Sequence, residues 1–166
     1  MLLVIIVKKN SINRVYFATF FLFLVDFIIK RIVVTKVSLL KSIVVIPSFF
    51  NITYIQNRGA AWGIFDGNST LLAILSLIIF IIISSYAKKI RNMSNISMIA
   101  FSFLLGGILG NFIDRVLYGY VIDFLDFKIF GYNYPVFNFA DILIVVGTII
   151  ILIQVLRGEL HEDRGR

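Results

Sequence analysis

Apolar residues run almost unbroken through four stretches of the chain. They are VYFATFFLFLVDFIIKRIVV at 15–34, TLLAILSLIIFIIISSYA at 70–87, ISMIAFSFLLGGILGNFIDR at 96–115 and FADILIVVGTIIILIQVL at 139–156. Each is close to the ~20 residues a helix needs to cross the hydrocarbon core. The backbone has no water to bond there, so each span must satisfy itself as a helix. The pattern predicts an all-α polytopic membrane protein of four transmembrane helices, forming a single integral membrane domain over 1–166. The opening MLLVIIVKK is apolar but too short to span. It also lacks the charge order and cleavage site of a secretory signal. A short interfacial segment, or a stretch owed to start-site ambiguity, is the expectation there.

Between the runs lie two longer segments, 35–69 and 116–138. In the first, SIVVIP and FNITYIQN have the β-branched and aromatic character of strands, with Pro47 as a break. A small extracytoplasmic β-sheet is predicted from them. The second is rich in Tyr and Phe. Tyr54, Tyr118, Tyr120, Tyr132 and Tyr134 fall outside the spans, as an interfacial belt would.

Composition agrees with a membrane protein. Of 166 residues 60% are hydrophobic and only 15% charged, and mean hydropathy is +0.98. A small soluble domain has too little interior for that surplus. Cys is absent, which removes disulfides and thiolate chemistry. The single His161 sits in the C-terminal HEDRGR, which argues against a His-rich metal site or a Ser-His-Asp triad. The net charge of +7 is scattered between apolar runs, which favours membrane flanks over nucleic acid.

Charge also orients the spans. Lys88, Lys89 and Arg91 lie between spans two and three, and Lys8, Lys9 and Arg14 precede span one. The positive-inside rule places these, and both termini, in the cytoplasm. Lys30, Arg31, Lys36 and Lys41 fall on the opposite side and oppose that assignment.

The acids are few and unevenly placed. Glu159, Glu162 and Asp163 belong to the tail, while Asp26, Asp66, Asp114, Asp123, Asp126 and Asp141 fall on or near the outer side. Asp26 and Lys30 are spaced i,i+4 and read as a self-neutralising pair, or as support for a site on neighbouring helices. Asn111, Asp114 and Arg115 can share one helical face. Arg115 could also simply reach the headgroups, but the Asn111 amide needs partners in a dry environment. Asn138 and Asp141 have the spacing of a capping box. Trp62 in YIQNRGAAWG reads as a headgroup anchor, with Asn57 nearby as a free amide. Gly106, Gly107 and Gly110 provide small surfaces for helix packing.

Capping does not account for Asp123, in the apolar YVIDF on the same membrane face as Asp141. Two carboxylates sharing a proton split their affinities for it. One can then activate water while the other donates a hydrogen bond to the scissile carbonyl, and a nearby Asn or Arg can stabilise the oxyanion.

At these residues the chain resembles the bacterial lipoprotein signal peptidases, or signal peptidase II. The elements stand in order: Asp26 with Lys30, the N-x-G-A-A-aromatic-G run from Asn57 to Gly63, GGxxGNxxDR from Gly106 to Arg115, V-x-D-F from Val121 to Phe124, and F-N-x-A-D from Phe137 to Asp141. The resemblance implies an aspartic endopeptidase of the bacterial cytoplasmic membrane. It would remove signal peptides from diacylglyceryl-modified prolipoproteins by cutting before the lipidated cysteine. It implies Asp123 and Asp141 as catalytic dyad and Asn57, Asn111, Arg115 and Asn138 as substrate-positioning residues. Asp26, Lys30, Asp114 and Gly110 would be structural support. It implies a β-sheet cradle after span one and a mobile flap in the second outer segment. It also implies inhibition by globomycin-type peptides, contact with membrane lipids, and no metal, cofactor or nucleic acid. Phe27–Ile29, wholly apolar, and the apolar N-terminal extension depart from the family pattern.

The rival expectation is a small non-enzymatic transporter or channel subunit, using the intramembrane acids as an ion path. Conduction needs polar groups through the full depth, and LLAILSLIIFIII in span two offers almost none.

Overall fold

The structure, a computed structural model, describes residues 2–59, 65, 67–90 and 93–160, with residues 2–10 given by backbone alone. Residues 60–64, with Trp62, lie outside the described residues, as do Asp66, Arg91, His161, Glu162 and Asp163. Four long helices and one small sheet make up the rest. The helices are α1 (Leu2–Lys36), α2 (Ser69–Lys89), α3 (Asn95–Tyr118) and α4 (Phe139–Leu156). The strands are β1 (Ser42–Ile46), β2 (Phe50–Asn57), β3 (Val121–Ile129) and β4 (Tyr132–Asn133). Among the described residues α2, α3 and α4 are each long and apolar enough to cross a membrane.

Within the N-terminal apolar run, Leu2–Val7 do not form a separate segment. α1 continues back to Leu2 as one helix. Lys8 and Lys9 interrupt the apolar run, but lysine is a good helix former, so a break in hydropathy is not a break in the backbone.

α3 is the central helix and packs against α1, α2 and α4. Its apolar window is 61% buried, against 17% for α2 and 22% for α4. Small residues permit this. A Cβ on Gly107 would collide with the Ala140 carbonyl and lie 2.8 Å from Ile144 Cγ1, so α4 can seat only on a bare backbone. α3 starts on a Ser94 cap that accepts from the Ser97 N–H. It stops at Gly119, whose left-handed backbone (φ 75°) donates to the Arg115 carbonyl. That stop turns the chain directly into β3.

The sheet is antiparallel throughout, in the order β1-β2-β3-β4. Half of it therefore comes from the second outer segment, where the Tyr- and Phe-rich composition announced no strand. Asn57 pairs with Val121 and Ile55 with Asp123, so Asn57 and Asp123 share one face of the sheet. Beneath the sheet Val33, Val37, Tyr54, Ile122 and Phe124 form a core cluster. Tyr54 is only 5% exposed, which removes it from the interfacial belt. Its ring fills the space between α1 and β3, and its hydroxyl accepts from Gln56 Nε2 at 3.0 Å. Tyr132 and Tyr134 are exposed, as a belt requires.

Candidate active site

The site is built outward from a buried ion cluster. Lys30 Nζ lies 2.8 Å from Asp26 Oδ2 and 2.9 Å from Asp114 Oδ2, with all three side chains essentially without solvent exposure. Charges are tolerated in such a place only when paired and hydrogen-bonded. Here each acid also accepts a backbone N–H: Asp26 from Ala140 at 3.0 Å and Asp114 from Ile122 at 3.2 Å. The Asp26–Lys30 pair is thus more than an i,i+4 pair on one helix. It joins α1, α3, β3 and the start of α4. Gly110 makes room for it, since a Cβ there would lie 2.5 Å from Asp26 Oδ2.

Next to this cluster stand the two candidate carboxylates. Asp123 is buried on β3, and Asp141 is half-buried in the first turn of α4. Asp141 Oδ1 accepts from Asn111 Nδ2 at 2.7 Å and Oδ2 from the Asn138 backbone N–H at 3.0 Å. Asp123 Oδ1 accepts from Asn138 Nδ2 at 2.6 Å and Oδ2 from Asn57 Nδ2 at 2.8 Å. Asn138 and Asp141 also form the full capping box of α4, the Asn138 side chain accepting from the Asp141 N–H at 3.0 Å. One pair of residues therefore both starts a helix and holds two carboxylates in place.

Arg115 stands at the rim. It donates to the Asn111 carbonyl at 3.3 Å and to the Gly59 carbonyl at 3.2 Å. The Gly59 N–H in turn donates to Asn57 Oδ1 at 2.9 Å. That contact turns the Asn57 amide so that its nitrogen faces Asp123.

Burial, and then the neighbouring Asp141 carboxylate, push the Asp123 carboxyl up to about 7. Hydrogen bonds from Asn57 and Asn138 oppose the rise. A carboxyl poised there holds a proton for a useful fraction of the time at neutral pH, as a general acid must.

Both carboxylates open into one cavity of about 790 Å³ between α2, α3 and α4. Asn57, Asn111 and Arg115 line its polar mouth with them. Below, the lining turns apolar, with Ile79 and Ile83 from α2, Leu104 and Ile108 from α3, and Ile144 and Ile151 from α4. Asp141 and Ile151 mark an α4 wall about 15 Å long at ~1.5 Å per residue. All ten residues singled out in the sequence therefore gather at one end of the bundle, in two layers. Missed were the groove residues, Thr148 and Ser76 among them. Their signal was present: 141, 144, 148 and 151, like 104, 108, 111 and 115, recur at helical spacing on one face.

A buried and a half-buried carboxylate facing one groove, within a bundle of helices long and apolar enough to cross a membrane, are the equipment of a membrane aspartic protease. Residues 18–157 match the family described as Signal peptidase (SPase) II. The lipoprotein signal peptidase of Staphylococcus aureus strain MRSA252 is 41% identical over 155 residues, covering 93% of this chain and 95% of that protein. The strain Newman protein gives the same identity and coverage. A bacterial membrane enzyme solved by the in meso method at 2.3 Å resolution superposes with a TM-score of 0.76 at 39% identity, covering 95% of this chain and 94% of that one. A second, at 1.9 Å, gives 0.73 at 41% identity, covering 90% and 94%. The chain belongs to the signal peptidase II family, aspartic proteases of the membrane that cleave signal peptides from prolipoproteins.

Proposed function

We propose that Asp123 and Asp141 are the catalytic dyad, acting on diacylglyceryl-modified prolipoproteins before the lipidated cysteine. The observation that carries this reading is the pairing of two donor-held carboxylates with an apolar groove at the same mouth. Asp123, whose hold on its proton is raised, serves as the acid, and Asp141 serves as the base. Asp141 takes a proton from water as the water attacks the scissile carbonyl, and Asp123 gives its proton to the carbonyl oxygen. As the C–N bond breaks, Asp141 passes its proton to the leaving amine and Asp123 recovers one from the tetrahedral intermediate. Both carboxyls return to their starting states. Asn57 and Arg115 hold the substrate backbone at the rim.

The groove takes the apolar parts of the substrate. Acyl chains and the signal-peptide helix gain binding energy far from the reacting bond, which can be used to orient it. Globomycin-type peptides inhibit by filling the same groove. α1 is the fourth span: Phe17, Phe20, Phe21, Leu24, Ile28 and Ile32 point outward from it, as lipid-facing residues do. Both termini lie in the cytoplasm, and the dyad and the sheet lie at the extracytoplasmic face of the bacterial cytoplasmic membrane. Two of the four cations that oppose this orientation are engaged within the fold. Lys30 is in the ion cluster, and Arg31 stacks over the Tyr118 ring at 4.4 Å.

The test supplies diacylglyceryl-modified prolipoprotein in liposomes and follows release of the signal peptide. Asp123→Asn and Asp141→Asn are each expected to abolish cleavage while the protein stays folded and inserted. Substantial cleavage by either variant would overturn the dyad.

A further inference from the structure

Lys30 touches neither carboxylate of the dyad, yet its three donors are all committed. Two go to Asp26 and Asp114, and the third goes to Asn111 Oδ1 at 3.0 Å. An ammonium has no acceptor. The atom of Asn111 that faces it must therefore be the amide oxygen, which leaves Nδ2 to face Asp141 Oδ1 at 2.7 Å. Turning the Asn111 amide over would set its nitrogen against Lys30 Nζ and Asn138 Nδ2, and its oxygen against the Asp141 carboxylate. All three contacts would become repulsive. The Asn138 amide is fixed separately, because its oxygen accepts from the Asp141 N–H. Its Nδ2 then serves both Asn111 Oδ1 at 3.2 Å and Asp123 Oδ1 at 2.6 Å.

We infer that Lys30 is a positioning residue for the dyad: by holding the Asn111 oxygen, it directs the amide donor of Asn111 onto Asp141. The inference rests on the dyad reading and deepens it. Asn111 supplies one of the two N–H donors that Asp141 receives, the other being the Asn138 backbone, and a donor aimed at a carboxylate favours its charged over its neutral form. The charged groups around it are Asp26 and Lys30 on α1, Asp114 and Arg115 on α3, Asp123 on β3 and Asp141 itself on α4. β2 contributes only the neutral Asn57 to this centre. Charge balance for Asp26 and Asp114 is the competing account of Lys30, and it gives Lys30 no part in the pH dependence of the reaction.

The experiment compares pH–rate profiles of prolipoprotein cleavage. In Lys30→Met the Asn111 amide loses its ammonium partner and is held only by the Asn138 donor at 3.2 Å and by Asp141 itself. kcat is expected to fall on the order of tenfold to a hundredfold, with the acid limb of the profile moving to higher pH. That variant also strands two buried acids, so K30M/D26N/D114N is measured beside it. Asparagine at positions 26 and 114 keeps an oxygen for the Ala140 and Ile122 N–H groups. Thermal stability is expected to recover in this triple variant while the shifted acid limb persists. A triple variant with the wild-type profile would overturn the inference and leave Lys30 as charge balance. Should neither variant fold, Asn111→Leu decides the matter with Lys30 intact. It must reproduce the shift, and an unmoved acid limb sinks the inference. Failure of the dyad itself reads out separately, as cleavage by Asp123→Asn or Asp141→Asn.

Discussion

The two ends of the helix bundle both bury polar side chains, and they do so differently. At the end away from the sheet the buried polar groups among the described residues are neutral and their partners are hydroxyls, amides and carbonyls. Gln154 donates to Ser97 at 2.9 Å, Tyr16 and Ser84 share a 2.6 Å hydrogen bond, and Ser102 donates to the Val15 carbonyl at 3.3 Å. These contacts join helices and face no part of the groove between the carboxylates. At the sheet end charged groups are buried as well, Lys30 is linked through the Asn111 and Asn138 amides to Asp123, and the chain opens into the cavity. Neutral pairs suffice to hold helices together, since each contributes about 0.5–1.5 kcal/mol without a large desolvation cost. Buried charge is the costlier choice, so its confinement to one end marks where chemistry needs it.

Four perturbations test that contrast. The largest effect belongs to the dyad, where Asp123→Asn and Asp141→Asn should each lower kcat on the order of 10³-fold or more. Cleavage assays beside thermal unfolding separate this loss from misfolding. Next comes Gly110→Ala, which drives a methyl into Asp26 Oδ2 and opens the ion cluster. It should cost about 1–3 kcal/mol of stability and depress kcat, although residue 110 touches no substrate. Full activity in that variant would uncouple the cluster from the site.

The third perturbation is pH. Asp123 is raised from 3.8 to about 7 in the folded protein, so the fold prefers its protonated form. Its contribution to stability is complete below pH 3.8 and is lost as pH climbs through 7. Asp123→Asn should therefore raise the melting temperature relative to wild type more at pH 8 than at pH 5. Wild-type cleavage should decline on the alkaline side as the Asp123 proton is lost. Equal melting differences at both pH values would contradict the raised affinity. The smallest effect is expected at the opposite end, where Tyr16→Phe should cost about 0.5–1.5 kcal/mol and leave cleavage unchanged. A loss of activity there would erase the distinction between the two ends.

What could be read in the sequence follows the range of the interactions. The long helices were legible as apolar runs, and the capping box of Asn138 and Asp141 as a three-residue spacing. β1 and β2 were legible from β-branched composition. β3 was not, because VIDFLDFKI becomes a strand through pairing with Phe50–Asn57, far away in the chain. Tyr54 was misplaced for a similar reason: its burial depends on α1 and β3 closing over it. The gathering of Lys30, Asp114, Asn111 and Asp141 was legible only through family resemblance. Spacing shows Asp26 beside Lys30, but the approach of α1 to α3 at Gly110 lies outside any local window.

One wall of the groove has a property the others lack. α2 contributes Ser76, Ile79 and Ile83 to the lining, yet it packs chiefly on α3 and is the least buried of the three apolar helices. Its outward face carries Leu71, Ile74, Leu75, Leu77, Ile78, Ile81 and Ile82, all exposed. In a bilayer, lateral pressure would act on this wall as a neighbouring helix acts on the others. Membrane thickness and fluidity would then be mechanical settings of the groove, and a detergent micelle would set them to different values.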